Sequence, residues 1–219
     1  SSLRAGQDWA LISTPFPATS QFVVLAGKGN LWMRMPQICY TRDYGYLKTS
    51  FSANRPMAGN TKYDNVTGGS FDMIQEGELT AMPWWMHRTW FKMGSTVLSY
   101  GGHWGKEIVP DQNGKEHWQD SYSIVGSFEW KNDRMAFAAQ GFYGENLNTF
   151  FGGVFQGFRA TADDVLNIRS YGGWANVKYK LNDKYHLAVG GGMDNPNKQD
   201  IGAGARDRND TVFGTVTYI

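Results

Sequence analysis

The chain has 219 residues, and its 21 Lys and Arg against 20 Asp and Glu leave a net charge of +1, so no global charge marks it for nucleic acid. A mean hydropathy of −0.47, with no apolar run of about 18 residues, excludes a transmembrane helix. The single Cys39 excludes an intramolecular disulfide framework and a cysteine zinc site.

Helical periodicity is nearly absent and alternation at period two is frequent, so the predicted elements are strands. In chain order they fall near 1–7, 31–41, 45–53, 83–92, 96–105, 118–130, 134–144, 170–181, 185–194 and 209–219. Tight turns are expected near 42–45, 93–95, 131–133 and 182–184. Long loops are expected at about 8–30, 54–82, 106–117, 145–169 and 195–209. Strict alternation of long and tight connections puts every tight turn at one end of the sheet and every long loop at the other. Outer-membrane barrels are built this way, whereas a soluble sandwich has no reason to sort its loops by length. The expectation is one all-β domain over residues 1–219, an antiparallel transmembrane β-barrel. The 8–30 loop, rich in Phe, Pro and Ala, is expected to fold into the lumen or pack at a subunit contact.

In residues 122–130, Tyr122, Ile124, Gly126, Phe128 and Trp130 fall on one face, opposite Ser123, Val125, Ser127 and Glu129. A soluble sheet buries such an apolar face, and a barrel turns it to lipid. Lipid is favoured because the apolar faces of the last five strands carry no charge through their middle. Tyr122 and Tyr143 stand at their long-loop ends, and Trp130, Tyr179, Tyr185 and Tyr218 at their tight-turn ends, as in an aromatic girdle. Gly126, Gly141, Gly173, Gly191 and Gly214 on that face would waste packing in a soluble core. The opposite face carries Arg134, Lys178, Lys180 and His186, joined by the same phase by Arg4, Arg34, Lys48, Arg88 and Lys92, with Glu129 as its clear acid. Most acids, Asp72, Glu76, Asp111, Asp194 and Asp200 among them, fall in the predicted loops. A cationic wall around a water-filled lumen favours anions. The plainer alternative is a set of solvated charges balanced by loop acids.

Gly6-Gln7-Asp8-Trp9, Gly29-Asn30-Leu31 and Arg34-Met35-Pro36-Gln37-Ile38 resemble signatures of the DcaP-like outer-membrane porins, most specifically over residues 3–40. The resemblance implies a trimeric, sixteen-stranded porin in the bacterial outer membrane, in contact with lipid and lipopolysaccharide, that admits small anionic solutes such as dicarboxylates. Two departures are visible: the chain is short for sixteen strands, and Cys39 stands close to where another Arg is expected. The ending Gly214-x-Val216-x-Tyr218-x lacks only a terminal aromatic of an outer-membrane signature, and the chain opens without an initiator Met. The expectation is that these residues form the C-terminal ten strands, with about six before them; a complete ten-stranded barrel is the alternative.

No phosphate loop or dinucleotide fingerprint is present. His87, His103, His117 and His186 lack metal spacing, so no cofactor and no metal are expected. The alternatives in function are a ten-stranded outer-membrane protease, for which His117 with Asp111 or Asp120 is the one candidate pair, and a soluble glycan binder stacking sugars on Trp84, Trp85 and Trp90. Asp163-Asp164 and the Asp/Asn-rich stretch 194–210 have the donors for Ca²⁺, though an ordinary polar loop accounts for both.

Overall fold

The structure, a computed structural model, describes residues 1–21, 24–56 and 77–218. Ten strands form one antiparallel sheet: β1 (Ser2–Trp9), β2 (Arg34–Asp43), β3 (Leu47–Asn54), β4 (Trp84–Met93), β5 (Thr96–Pro110), β6 (Glu116–Lys131), β7 (Met135–Glu145), β10 (Arg169–Lys180), β11 (Tyr185–Pro196) and β12 (Asn209–Tyr218). Two short strands, β8 (Phe158–Ala160) and β9 (Val165–Asn167), form a separate hairpin. Neighbours in the large sheet follow chain order, with β7 beside β10. β1 and β12 are its two edges, and no closure between them is present among the described residues.

The tight turns are built by short side chains that cap the backbone. Asn132 Oδ1 accepts the amides of Arg134 and Met135 at 2.9 and 2.7 Å, and Asn182 Oδ1 those of Lys184 and Tyr185, both at 2.9 Å. Asp43 Oδ1 accepts the amide of Gly45 at 2.8 Å, where φ is +86° and glycine is the residue that adopts it without a Cβ penalty.

The predicted strands match these elements within three residues at every end but one. The exception corrects the 106–117 loop: β5 runs on to Pro110 and β6 begins at Glu116. Charges misled the reading there. Lys106 faces Asp120 across the pair at 3.0 Å, so two polar letters are a cross-strand ion pair rather than a loop. The turn shrinks to residues 111–115, where Asp111 Oδ1 accepts the amides of Asn113 and Lys115, both at 2.9 Å. Most of the 54–82 loop, with Asp72 and Glu76, lies outside the described residues, as does Ile219.

The two faces of the sheet differ as alternation requires. One exposes large apolar side chains in every strand, among them Leu3, Ile38, Phe51, Leu98, Ile124 (65% exposed), Val189 and Val212 (87% exposed). The other carries Ser50, Ser52, Ser99, Ser121, Ser123, Ser127, Gln140 and Asn176, yet these polar residues are buried. Two segments of the chain, 10–33 (described at 10–21 and 24–33) and 146–157, lie over them. Ala10, Leu11, Ile12 and Leu31 from the first segment and Leu147 and Phe150 from the second pack with Met35, Trp84, Met86, Val125 and Phe142 of the sheet. The core therefore sits on the polar face, under the long-loop half of the strands.

Candidate functional site on the polar face

The 10–33 segment crosses the polar face as a strap, tied at its backbone by sheet side chains. Arg88 Nη1 of β4 donates to the carbonyl of Leu11 at 3.0 Å, and Gln140 Nε2 of β7 to that of Ile12 at 3.2 Å. Asn176 Oδ1 of β10 accepts the amide of Ala18 at 3.0 Å. Trp174 Nε1 donates to Asn30 Oδ1 at 3.1 Å, and Asn209 Nδ2 of β12 to the carbonyl of Gly27 at 2.8 Å. A connection between adjacent strands thus spans from β4 to β12. Four of these sheet side chains satisfy strap backbone groups that would otherwise be buried without a partner, and Trp174 meets the side chain of Asn30.

The second segment is held by two acids. Glu107 of β5 accepts from Asn146 Nδ2 at 2.9 Å and Thr149 Oγ1 at 3.4 Å. Asp194 of β11 accepts the amides of Gly153 and Val154 at 3.2 and 3.0 Å. The two segments join where the amides of Trp32 and Gly27 donate to the carbonyls of Phe150 and Phe151, at 3.1 and 2.7 Å.

Below the strap, toward the tight turns, the polar face is open and charged. Strand register places Lys48, Lys92, Lys178, Lys180 and His186 on it, with Arg134 in the same phase at a turn. Acids stand among them. Lys92 Nζ lies 3.4 Å from Asp43 Oδ2, and Lys180 Nζ 2.7 Å from Asp183 Oδ1. Lys48 Nζ sits over the Trp90 ring, 4.5 Å from its centroid. Arg4 also lies on this face, on edge strand β1, paired with Asp8 at 2.9 Å.

Two predicted wall cations do not line the open wall. Arg34 faces the other way. Its neighbours in phase are Ile38 and Tyr40, both exposed on the apolar face, and its guanidinium lies 5.5 Å from the Trp9 ring centroid. Met35 and Cys39 are the buried phase of β2, so Arg34 is the first outward residue of that strand. Arg88 is on the predicted face but is fully buried beneath the strap. Its Nε and Nη2 donate to Ser99 Oγ at 3.0 and 2.8 Å, and Nη2 also to Ser127 Oγ at 3.0 Å and Gln140 Oε1 at 3.4 Å.

Sequence reasoning missed Glu107, Asp194 and Asp43 as acids of this face. The continuing alternation Glu107, Val109 against Ile108 was the available signal for the first. The His117–Asp111 pair does form, with Nε2 2.9 Å from Asp111 Oδ2. The His117 ring nitrogen Nδ1 stands 3.7 Å from Asp164 Oδ1, so both ring nitrogens face carboxylates. The His117 hydrogen bond holds the Asp111 carboxyl below the usual carboxylate range. Among the described residues no cluster of three His, Cys, Asp or Glu has metal-binding geometry. Trp84, Trp85 and Trp90 make no common stacking platform: Trp84 is buried on the polar face and Trp85 is exposed on the apolar one.

Comparison of the chain with family models, curated proteins and solved structures gave no match. Among the described residues no helix is long and apolar enough to cross a membrane. What the fold itself defines is an all-β protein with one large antiparallel sheet, apolar on one face and polar on the other.

Proposed function

We propose that this sheet is the wall of an outer-membrane β-barrel, a porin through which small anionic solutes diffuse along the polar face. The observation that carries the reading is the apolar face. It extends over all ten strands with large apolar side chains exposed in each, from Leu3 on β1 to Val216 on β12. Soluble monomers rarely expose an apolar patch beyond a few hundred Å². A lipid bilayer makes the same face favourable.

The polar groups near the middle of that face support the reading because they satisfy one another. Thr49 Oγ1 lies 3.1 Å from Thr89 Oγ1, and His87 Nε2 lies 2.9 Å from Thr89 Oγ1 and 3.3 Å from Thr49 Oγ1. Lipid offers no water to unpaired edges. In this reading β1 and β12 therefore pair with each other or with further strands of the same wall. Three such barrels as a trimer, set in lipid and lipopolysaccharide, complete the arrangement implied by the porin resemblance. The chain's work is passive: the strap narrows the lumen, and Lys48, Lys92, Arg134, Lys178, Lys180 and His186 line the open vestibule below it. Charges that attract a carboxylate without enclosing it speed its entry and let it leave.

Ile124→Arg tests the lipid contact. In water an arginine at this exposed site costs almost nothing. Facing the bilayer middle it costs about 2–4 kcal/mol, read as a lower midpoint for denaturant unfolding in lipid vesicles. An unchanged midpoint would contradict the membrane reading.

A further inference from the structure

We infer that Arg88 is a specificity-determining residue of this channel, acting through its buried charge rather than by touching the solute; the inference rests on the channel reading above. A guanidinium keeps its charge throughout the physiological range. Arg88 is fully buried, and every hydrogen-bond acceptor it meets is neutral: Ser99, Ser127, Gln140 and the carbonyl of Leu11. Among the described residues it forms no ion pair; the acid that acts on its charge is Glu129 of β6, on the same face but outside hydrogen-bond reach. Its position is the lower margin of the strap, where the covered half of the polar face gives way to the charged vestibule. Its guanidinium carbon lies 5.7 Å from the centroid of Trp90, whose ring also carries Lys48.

This placement has an electrostatic consequence that the vestibule cations lack. Lys92 and Lys180 are solvent-exposed and each has an acid beside it. Their influence on a passing ion weakens as salt rises, because the screening length drops from about 10 Å at 0.1 M to about 3 Å at 1 M. A charge enclosed by protein has no counterions against it, and its field is screened only beyond the protein surface, where it enters the lumen. The channel then has two layers of anion preference. One comes from exposed cations and fades with salt. The other comes from Arg88 and persists.

Reversal potentials in KCl gradients, centred on about 0.1 M and about 1 M, separate the two. Wild type is expected to lose part of its anion preference at the higher salt and keep a remainder. Arg134→Glu with Lys178→Glu should cut the low-salt preference and leave the high-salt remainder. Arg88→Gln should abolish the remainder, and Arg88→Lys should retain it. Should Arg88→Gln not assemble, Gln140→Glu places a carboxylate against Nη2 and should abolish the remainder with the guanidinium still present. A wild type without preference at about 1 M, or a remainder untouched by Arg88→Gln or by Gln140→Glu, overturns the role of Arg88 while the channel stands. Absence of ion current from every protein, wild type included, overturns the channel reading and this inference with it.

Discussion

Asp200 ties a loop to the sheet through one residue. Its Oδ2 accepts from Arg169 Nε at 2.7 Å and from the Arg169 amide at 3.1 Å, and its Oδ1 from Arg169 Nη2 at 2.7 Å. The fork geometry makes this pair stronger than a single charged contact. The Arg169 guanidinium holds the Asp200 carboxyl below the usual carboxylate range. The folded state thus favours the ionised form. Its contribution is complete above the ordinary carboxylate range and is lost as pH falls through the depressed value. Protection of the amides in residues 197–208, taken relative to their intrinsic exchange rates, should fall in strong acid. Asp200→Asn should show the lowered protection already at neutral pH; equal protection in variant and wild type at neutral pH would remove Asp200 from the loop's anchorage. At this scale the sequence was readable where phase decides and unreadable where a distant segment decides. Lys178, Lys180 and His186 follow from alternation alone. Arg34 does not, because Met35 and Cys39 are no more polar as letters than Ile38 and Tyr40, and only packing under the strap shows which set is covered. Arg88 has the right phase, but its burial depends on Leu11, 77 residues away in the chain.

The strap behaves as an element although it has almost no regular structure, apart from a short 3-10 turn at Leu11–Ser13. Its anchors are sheet side chains, four of which meet its backbone groups, and its apolar residues supply part of the core. The sequence marks it as a long loop too apolar for open solvent, and the structure lays it on the polar face. Its contacts could not be foreseen from period-two patterning, since they join residues far apart in the chain. Under the porin reading, deleting residues 12–26 leaves Ala10 and Leu11 seated and removes the bulk that lies across the lumen. Single-channel conductance should rise severalfold, and an unchanged conductance would show that the strap does not limit passage. The ten sheet strands were legible because alternation repeats in each of them. The β5–β6 extension was hidden by its charges, which satisfy one another across the pair. The β8–β9 hairpin was hidden by its length, three residues a strand.

At the scale of the molecule, the sheet inverts the usual division of a globular protein. The long-loop half of its polar face is buried under its own loops, and its apolar face is exposed. Alternation set the two faces apart but left open which one meets water. The burial pattern gives both a covered polar half-face and a bare apolar face, and under the proposed porin reading a bilayer reconciles them. The open edges β1 and β12 belong to the same picture, because an edge in lipid must find a strand. The most direct test of this account is the reversal potential of the purified protein in a planar bilayer across a low-salt gradient, compared between wild type and Arg134→Glu with Lys178→Glu. The account predicts an anion-selective current in wild type that loses or reverses its selectivity in the variant. No current, or a cation-selective wild type, would contradict it.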